Sequence, residues 1–171
     1  MTFIERRLKS PDGLSIYLRD YAPPRPSTST STSTPVLCLH GLTRNSKDFE
    51  DVAPWIASLG RRVLTMDVRG RGQSDWDGDP TRYNPAVYAG DAVAALAQLD
   101  IPKAVFVGTS MGGLIAMIVA ATKGDLVEGA ILNDIGPVID PRGIARIAGY
   151  AGNTGPFPHW RACAAQIEAL Q

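Results

Sequence analysis

The stretch VFVGTSMGGLIAM, Val105 to Met117, decides the fold. Val105, Phe106 and Val107 form a short apolar run of the kind a buried strand carries, and Leu114, Ile115, Ala116 and Met117 continue as an apolar helix. Between them stands Gly108-Thr109-Ser110-Met111-Gly112. A chain that passes from strand to helix within these residues bends so sharply that the serine is strained, and side chains two positions before and after it would collide. Glycines at 108 and 112 remove those side chains, and Gly113 lets the helix lie close to its neighbours. The helix start also brings free backbone N–H groups beside Ser110. A serine in this setting reads as a nucleophile, but its hydroxyl is weak until a base takes its proton. The question is where its histidine lies.

Outward from this turn, short apolar runs alternate with amphipathic stretches. Val36 to Leu39 predicts a strand, and Asn45 to Leu59 a helix, with Phe49, Val52, Ala53, Ile56 and Leu59 at helical spacing and acidic residues at its start. Arg62 to Met66 is the next strand. A glycine-rich loop leads to Asn84-Pro85, a cap followed by proline at the first helical position. Val87, Tyr88, Ala92, Ala95, Leu96 and Leu99 then give that helix its apolar stripe. Ala104 to Val107 with Met111 to Thr122 is the third unit, and Leu126 to Leu132 a fourth strand. At the N-terminus, Phe3 to Leu8 and Leu14 to Tyr21 flank Pro11-Asp12-Gly13 as a β-hairpin. Pro23 to Thr34, PPRPSTSTSTST, offers little to bury and reads as a mobile connector. The class is therefore α/β, a mostly parallel sheet with helices on both faces. Ligands in such sheets bind beyond the carboxyl ends of the strands. Those ends carry His40-Gly41, Asp67, Ser110 and Asn133-Asp134.

Composition excludes several classes. The chain has 171 residues, 44% hydrophobic and 20% charged, close to the globular average, with enough length to bury one core. Its 17 basic and 17 acidic residues balance, so there is no electrostatic footprint for nucleic acid or an anionic membrane. Charges in MTFIERRLKSPDG interrupt any export signal, so the chain is expected in the cytoplasm, and no apolar run approaches a membrane span. Cys38 and Cys163 are then expected as reduced thiols rather than a disulfide. The segment from Asp67 to Ser74 has the glycines of a nucleotide-binding loop, but Asp75 stands where the third glycine belongs. It reads as a shaped structural loop.

Taken in order, the hairpin, LCLHGLTRNSKDF, TMDVRGRGQSD, VGTSMGG and ILNDIGP resemble the α/β-hydrolase fold family, in its bacterial esterase and lipase-like group. The resemblance runs from the start to about residue 140. It implies a serine hydrolase of carboxylic esters or related acyl substrates, with Ser110 as nucleophile and an acyl-enzyme intermediate. C–C bond hydrolysis and perhydrolysis by the same fold stay open. It further implies that the backbone N–H groups of Leu42 and Met111 form an oxyanion hole, worth roughly 3 kcal/mol per donor to the transition state. His40 and Gly41 belong to the binding loop, His40 pinning it by hydrogen bonds. Asp67 and Arg69 become internal hydrogen-bonding partners. No metal or organic cofactor is implied.

Ser110, Asp134 and His159 satisfy the serine, acid, histidine order of such triads. The family, however, usually draws its acid from after a seventh strand and its histidine from after an eighth, and no strand is read beyond Leu132. Residues 137–171 resemble the start of a helical cap following a core of 1–136, which makes His159 a cap residue. Asp134 remains open between a triad acid, which some relatives take from the end of the sixth strand, and a loop-bracing carboxylate. The expectation is an N-terminal portion of the fold, truncated after its sixth strand. A second chain or C-terminal remainder would complete it, and alone it would be inactive for want of the triad histidine. The rival reading is a non-catalytic fragment or binding module that keeps the pocket.

Overall fold

Proline and glycine open the structure: Ser10 accepts from Gly13 N–H at 2.9 Å across the Pro11-Asp12-Gly13 turn, and strands β1 (Ile4–Lys9) and β2 (Ser15–Tyr21) pair antiparallel on either side. The computed structural model describes residues 2–24, 33–151 and 156–169. Most of the expected connector, residues 25–32, lies outside them. Four parallel strands follow, β3 (Val36–Leu39), β4 (Val63–Met66), β5 (Ala104–Thr109) and β6 (Val127–Asn133). The sheet order is β1-β2-β4-β3-β5-β6, with β2 antiparallel to β4. This is the α/β architecture read from the sequence.

Alternation along the strands feeds two cores. Leu37, Leu39, Leu64, Met66 and Phe106 face helices α2 (Pro85–Gln98) and α3 (Met111–Thr122), packing on Tyr88, Ala92, Leu96, Ile115 and Val119. Val36, Cys38 and Val63 face the opposite way, onto Ala53 and Ala57 of α1 (Val52–Ser58). With helices on both faces, a strand needs apolar side chains on both, which is why these strands read as continuous apolar runs. Burial pushes the Cys38 thiol up to about 12, so it is an inert packing group, and both cysteines are free.

One predicted element differs. Asn45 to Leu59 is not a single helix but a 3-10 turn, Ser46–Phe49, followed by α1. Pro54 explains the break: within a continuous helix its ring would clash with the carbonyl of residue 50 and its missing N–H would leave that carbonyl unbonded. Restarting the helix at Val52 places Pro54 in the first turn, where no N–H is required. The edge strand β6 is another exception to burial, with Ile131 58% exposed.

The chain divides into two compact units, Met1–Pro137 and Val138–Gln171. The second contains helices α4 (Pro141–Tyr150) and α5 (Trp160–Glu168). Asp140 caps α4 by accepting from Arg142 N–H, and His159 caps α5 through Nδ1, which accepts from Ala162 N–H at 3.2 Å. Among the described residues no helix is long and apolar enough to cross a membrane.

Candidate active site

Ser110 sits between β5 and α3 at φ 50° and ψ −113°, a backbone region that a residue with a side chain rarely adopts. The surrounding glycines permit it. A Cβ on Gly108 would strike the Gly112 carbonyl and lie 2.5 Å from Gly113 N. One on Gly112 would strike the backbone carbonyl of Leu39 on the neighbouring strand, and one on Gly113 would strike the Ile135 side chain. The turn is anchored by Ser110 N–H donating to the Asn133 carbonyl at 2.9 Å, and by Gly113 N–H donating to the Ser110 carbonyl at 2.8 Å. Ser110 itself is half-buried, and Met111, whose N–H opens the helix, is buried.

The loop after β3 comes up against this turn: a Cβ on Gly41 would lie 3.8 Å from Ser110 Cβ. His40, fully buried, organises that loop. Its Nε2 accepts from Val68 N–H at 3.1 Å, which leaves Nδ1 to donate to the Gly41 carbonyl at 2.7 Å. The ring is therefore neutral with its proton on Nδ1, and burial lowers its pKa, consistent with that state. Neither nitrogen is free to take a proton from Ser110. Among the described residues, neither Leu42 N–H nor Met111 N–H donates to a protein acceptor. Two N–H groups without a protein acceptor among the described residues thus lie one in the loop after β3 and one at the start of α3.

Comparison with known proteins shows the family. The family model for the alpha/beta hydrolase fold matches residues 34–168. The chain belongs to the α/β-hydrolase fold family. It is 41% identical over 117 residues to a 3-hydroxybutyrate-oligomer hydrolase of Cupriavidus necator, an alignment covering 68% of this chain and 40% of that protein. An sn-1-specific diacylglycerol lipase of Xenopus laevis is 37% identical over 134 residues, covering 78% of this chain and 38% of the lipase. A crystal structure of an alpha/beta hydrolase from Novosphingobium aromaticivorans superposes with a TM-score of 0.85 at 42% identity, over 99% of this chain and 57% of that one. The chain thus spans about 40% of the length of these curated relatives.

Asp134 follows the residue whose carbonyl holds Ser110 N–H, and it too has positive φ, 55°. Its carboxylate has no hydrogen-bond or ion-pair partner among the described residues, so it braces no loop there. The bracing carboxylate is Asp67, whose two oxygens accept from Ser46 N–H at 2.6 Å and Gln73 N–H at 2.8 Å.

Arg69 is an internal partner, as the family resemblance implies, and its partners are ones the sequence did not reveal. The guanidinium, 1% exposed, bonds Asp91 on α2 at 2.6 and 2.8 Å, Asp12 in the hairpin turn at 2.8 and 3.1 Å, and Asp77 at 2.6 Å. Asp91 occupies the core face of α2, where the apolar stripe predicts a hydrophobic residue. Burial raises its pKa, and Arg69 opposes that by bonding its carboxylate; the bond to Arg69 holds Asp12 well below the usual carboxylate range. Arg71 was also missed. Its Nε donates to the Leu42 carbonyl at 2.9 Å.

Proposed function

We propose that this chain carries the nucleophile and oxyanion site of a serine hydrolase acting on carboxylic esters. The observation that carries the reading is the strained turn at Ser110, with the loop of Gly41 against it and the N–H groups of Leu42 and Met111 donating to no acceptor among the described residues. Strain of about 1–3 kcal/mol persists at a turn only where the surroundings impose it, and it concentrates at functional sites. In the proposed reaction Ser110 Oγ bonds to the acyl carbon and the carbonyl electron pair moves onto oxygen, where the Leu42 and Met111 N–H groups receive it. The Oγ proton passes to a base, then to the departing alcohol as the tetrahedral adduct collapses to an acyl-enzyme. Water repeats the sequence and frees the acid.

The names of the relatives support ester substrates, since an oligomer of 3-hydroxybutyrate and a diacylglycerol both contain ester bonds. Asp134 is the acid we assign within this chain. For the base we assign polypeptide beyond these 171 residues, because His40 is locked by both ring nitrogens and His159 spends Nδ1 on capping α5. The cytoplasm is the location we propose.

The test is hydrolysis of p-nitrophenyl acetate and longer-chain esters by the native chain, Ser110→Ala and His159→Ala. We expect at most residual turnover, insensitive to His159→Ala, because a serine without its base adds little. Efficient turnover abolished by His159→Ala alone would overturn the assignment of the base, and efficient turnover unchanged in Ser110→Ala would overturn the nucleophile.

A further inference from the structure

We propose that Arg71 is a positioning residue that fixes the Leu42 amide for oxyanion binding; the inference rests on the reading of Leu42 N–H as an oxyanion donor. An amide can stabilise a developing charge only if its direction is set before reaction, because reorienting a loose peptide consumes the energy the bond would supply. Leu42 is 37% exposed, so packing holds it less firmly than a buried core residue. Polar contacts do so from both sides. The Leu42 N–H shares a trans peptide plane with the Gly41 carbonyl, so the two point in opposite directions. That carbonyl is held by His40 Nδ1 at 2.7 Å and Arg44 N–H at 3.2 Å. On the other side of the residue, Arg71 Nε holds the Leu42 carbonyl at 2.9 Å, and Nη1 of the same guanidinium reaches the Arg69 carbonyl at 3.4 Å. Leu42 is thereby clamped between one carbonyl bonded from within its own loop and another bonded from the loop after β4.

The loop after β4 is built to present this side chain. Arg71 lies between Gly70 and Gly72, at φ 70° and 53°. A Cβ on Gly72 would strike the Asp67 carboxylate, and one on Gly70 would lie 3.1 Å from the Tyr83 hydroxyl and closer still to the ring. Turn bonds from Arg71 N–H to the Val68 carbonyl at 2.9 Å and from Ser74 N–H to the Arg71 carbonyl at 3.0 Å fix the backbone. The guanidinium lies over the Tyr83 ring at 6.0 Å. A planar cation with several donors can bond two carbonyls and face a ring at once, which a lysine ammonium does less well. The glycine pair that resembles a nucleotide loop thus serves to aim an arginine at the oxyanion loop.

The test uses the 171-residue chain labelled with nitrogen-15, comparing wild type with Arg71→Ala, Arg71→Met, Arg71→Lys and, as a control, Arg82→Ala. Arg71→Met keeps an apolar stem against Tyr83 but cannot donate, so it serves if Arg71→Ala does not fold. Two quantities are read at the Leu42 and Met111 amides: the order parameter, and the proton shift on titration with phenylboronic acid. Boron takes a lone pair from Ser110 Oγ, the proton goes to buffer, and a tetrahedral anion forms at the site.

We expect a Leu42 order parameter near the rigid value of about 0.85 in wild type and Arg82→Ala, falling below about 0.6 in Arg71→Ala and Arg71→Met. In those two variants the downfield boronate shift at Leu42 should be lost while that at Met111 persists, boronate binding should weaken roughly tenfold, and Arg71→Lys should restore part of each. A Leu42 amide that stays rigid and still shifts in Arg71→Ala or Arg71→Met would overturn the proposal and leave the oxyanion reading intact. No Leu42 shift in wild type would overturn the oxyanion reading, and this proposal with it.

Discussion

The turn at Ser110 and the loops that frame Leu42 meet at one edge of the sheet, yet they are held by different forces. The Ser110 turn is set by exclusion: Gly108, Gly112 and Gly113 stand where backbone or a packed side chain leaves no room for a Cβ. The Leu42 side is set by attraction, through His40, Asp67, Arg69 and Arg71, each bonding across from one loop to another. Exclusion acts over a few residues and tolerates almost no substitution. Attraction draws on residues far apart in the chain, and its strength depends on burial and charge.

This contrast can be broken most forcefully at Arg69. Arg69→Met leaves Asp91 buried without its cation and Asp77 with only Arg82 at 3.9 Å, and removing one partner of a buried ion pair typically costs about 3–5 kcal/mol. Urea unfolding at neutral pH should show a loss of that size, shrinking toward about pH 4 as the carboxyls accept protons. A loss below about 1 kcal/mol would mean the network contributes little to stability.

The glycines come next and separate two kinds of crowding. Gly112→Ala drives a methyl into the Leu39 backbone, which cannot yield, and should cost about 3 kcal/mol; Gly113→Ala strikes chiefly the Ile135 side chain, which can turn aside, with the Gly108 carbonyl oxygen at 3.3 Å, and should cost about 1 kcal/mol. Equal losses in urea unfolding would show that the backbone contact is not what fixes the turn.

How much of this the sequence disclosed follows from the same distinction. Glycine at fixed offsets around a serine, between an apolar strand and an apolar helix, is a local signal, so the turn and helix α3 were legible residue by residue. Strands β3 to β5 were legible because burial on both faces leaves unbroken apolar runs. The split of α1 was legible in principle, since Pro54 forbids a continuous helix. The charge network was not. Asp12, Asp77 and Asp91 are spread over three segments, and nothing near any of them announces that one guanidinium gathers all three. Arg71 was obscured by its own glycines, whose spacing suggests a phosphate loop. The neutrality of His40 depends on Val68 N–H, a backbone donor that every non-proline residue possesses and that no sequence pattern marks.

A smaller effect concerns strain. Ser110→Gly places a glycine at φ 50° and should raise stability by about 1 kcal/mol while removing the nucleophile, since glycine adopts this region freely. A destabilised variant would show that the serine side chain contributes to the fold rather than straining it.

Smallest of all is the titration of His40. Its folded pKa lies below its ordinary value because burial disfavours the imidazolium. The unfolded chain therefore binds more protons as pH falls through about 6.5, and stability present above that pH is lost below it, at up to about 1.4 kcal/mol per pH unit. Urea unfolding between about pH 5 and 7 should show this slope in the native chain and a flatter one in His40→Asn, which keeps a donor toward Gly41 but cannot titrate. Parallel slopes would place the titration elsewhere.

The central claim is that the hydroxyl of Ser110 is singled out by its setting from the many other serines and threonines of this chain. Incubation with a p-nitrophenyl alkylphosphonate, followed by mass mapping of the peptides, tests it most directly. The account requires phosphonylation at Ser110 in the folded chain, slow without a base, absent after urea unfolding and absent in Gly112→Ala. Label scattered over the exposed hydroxyl residues, at the same rate before and after unfolding, would contradict it.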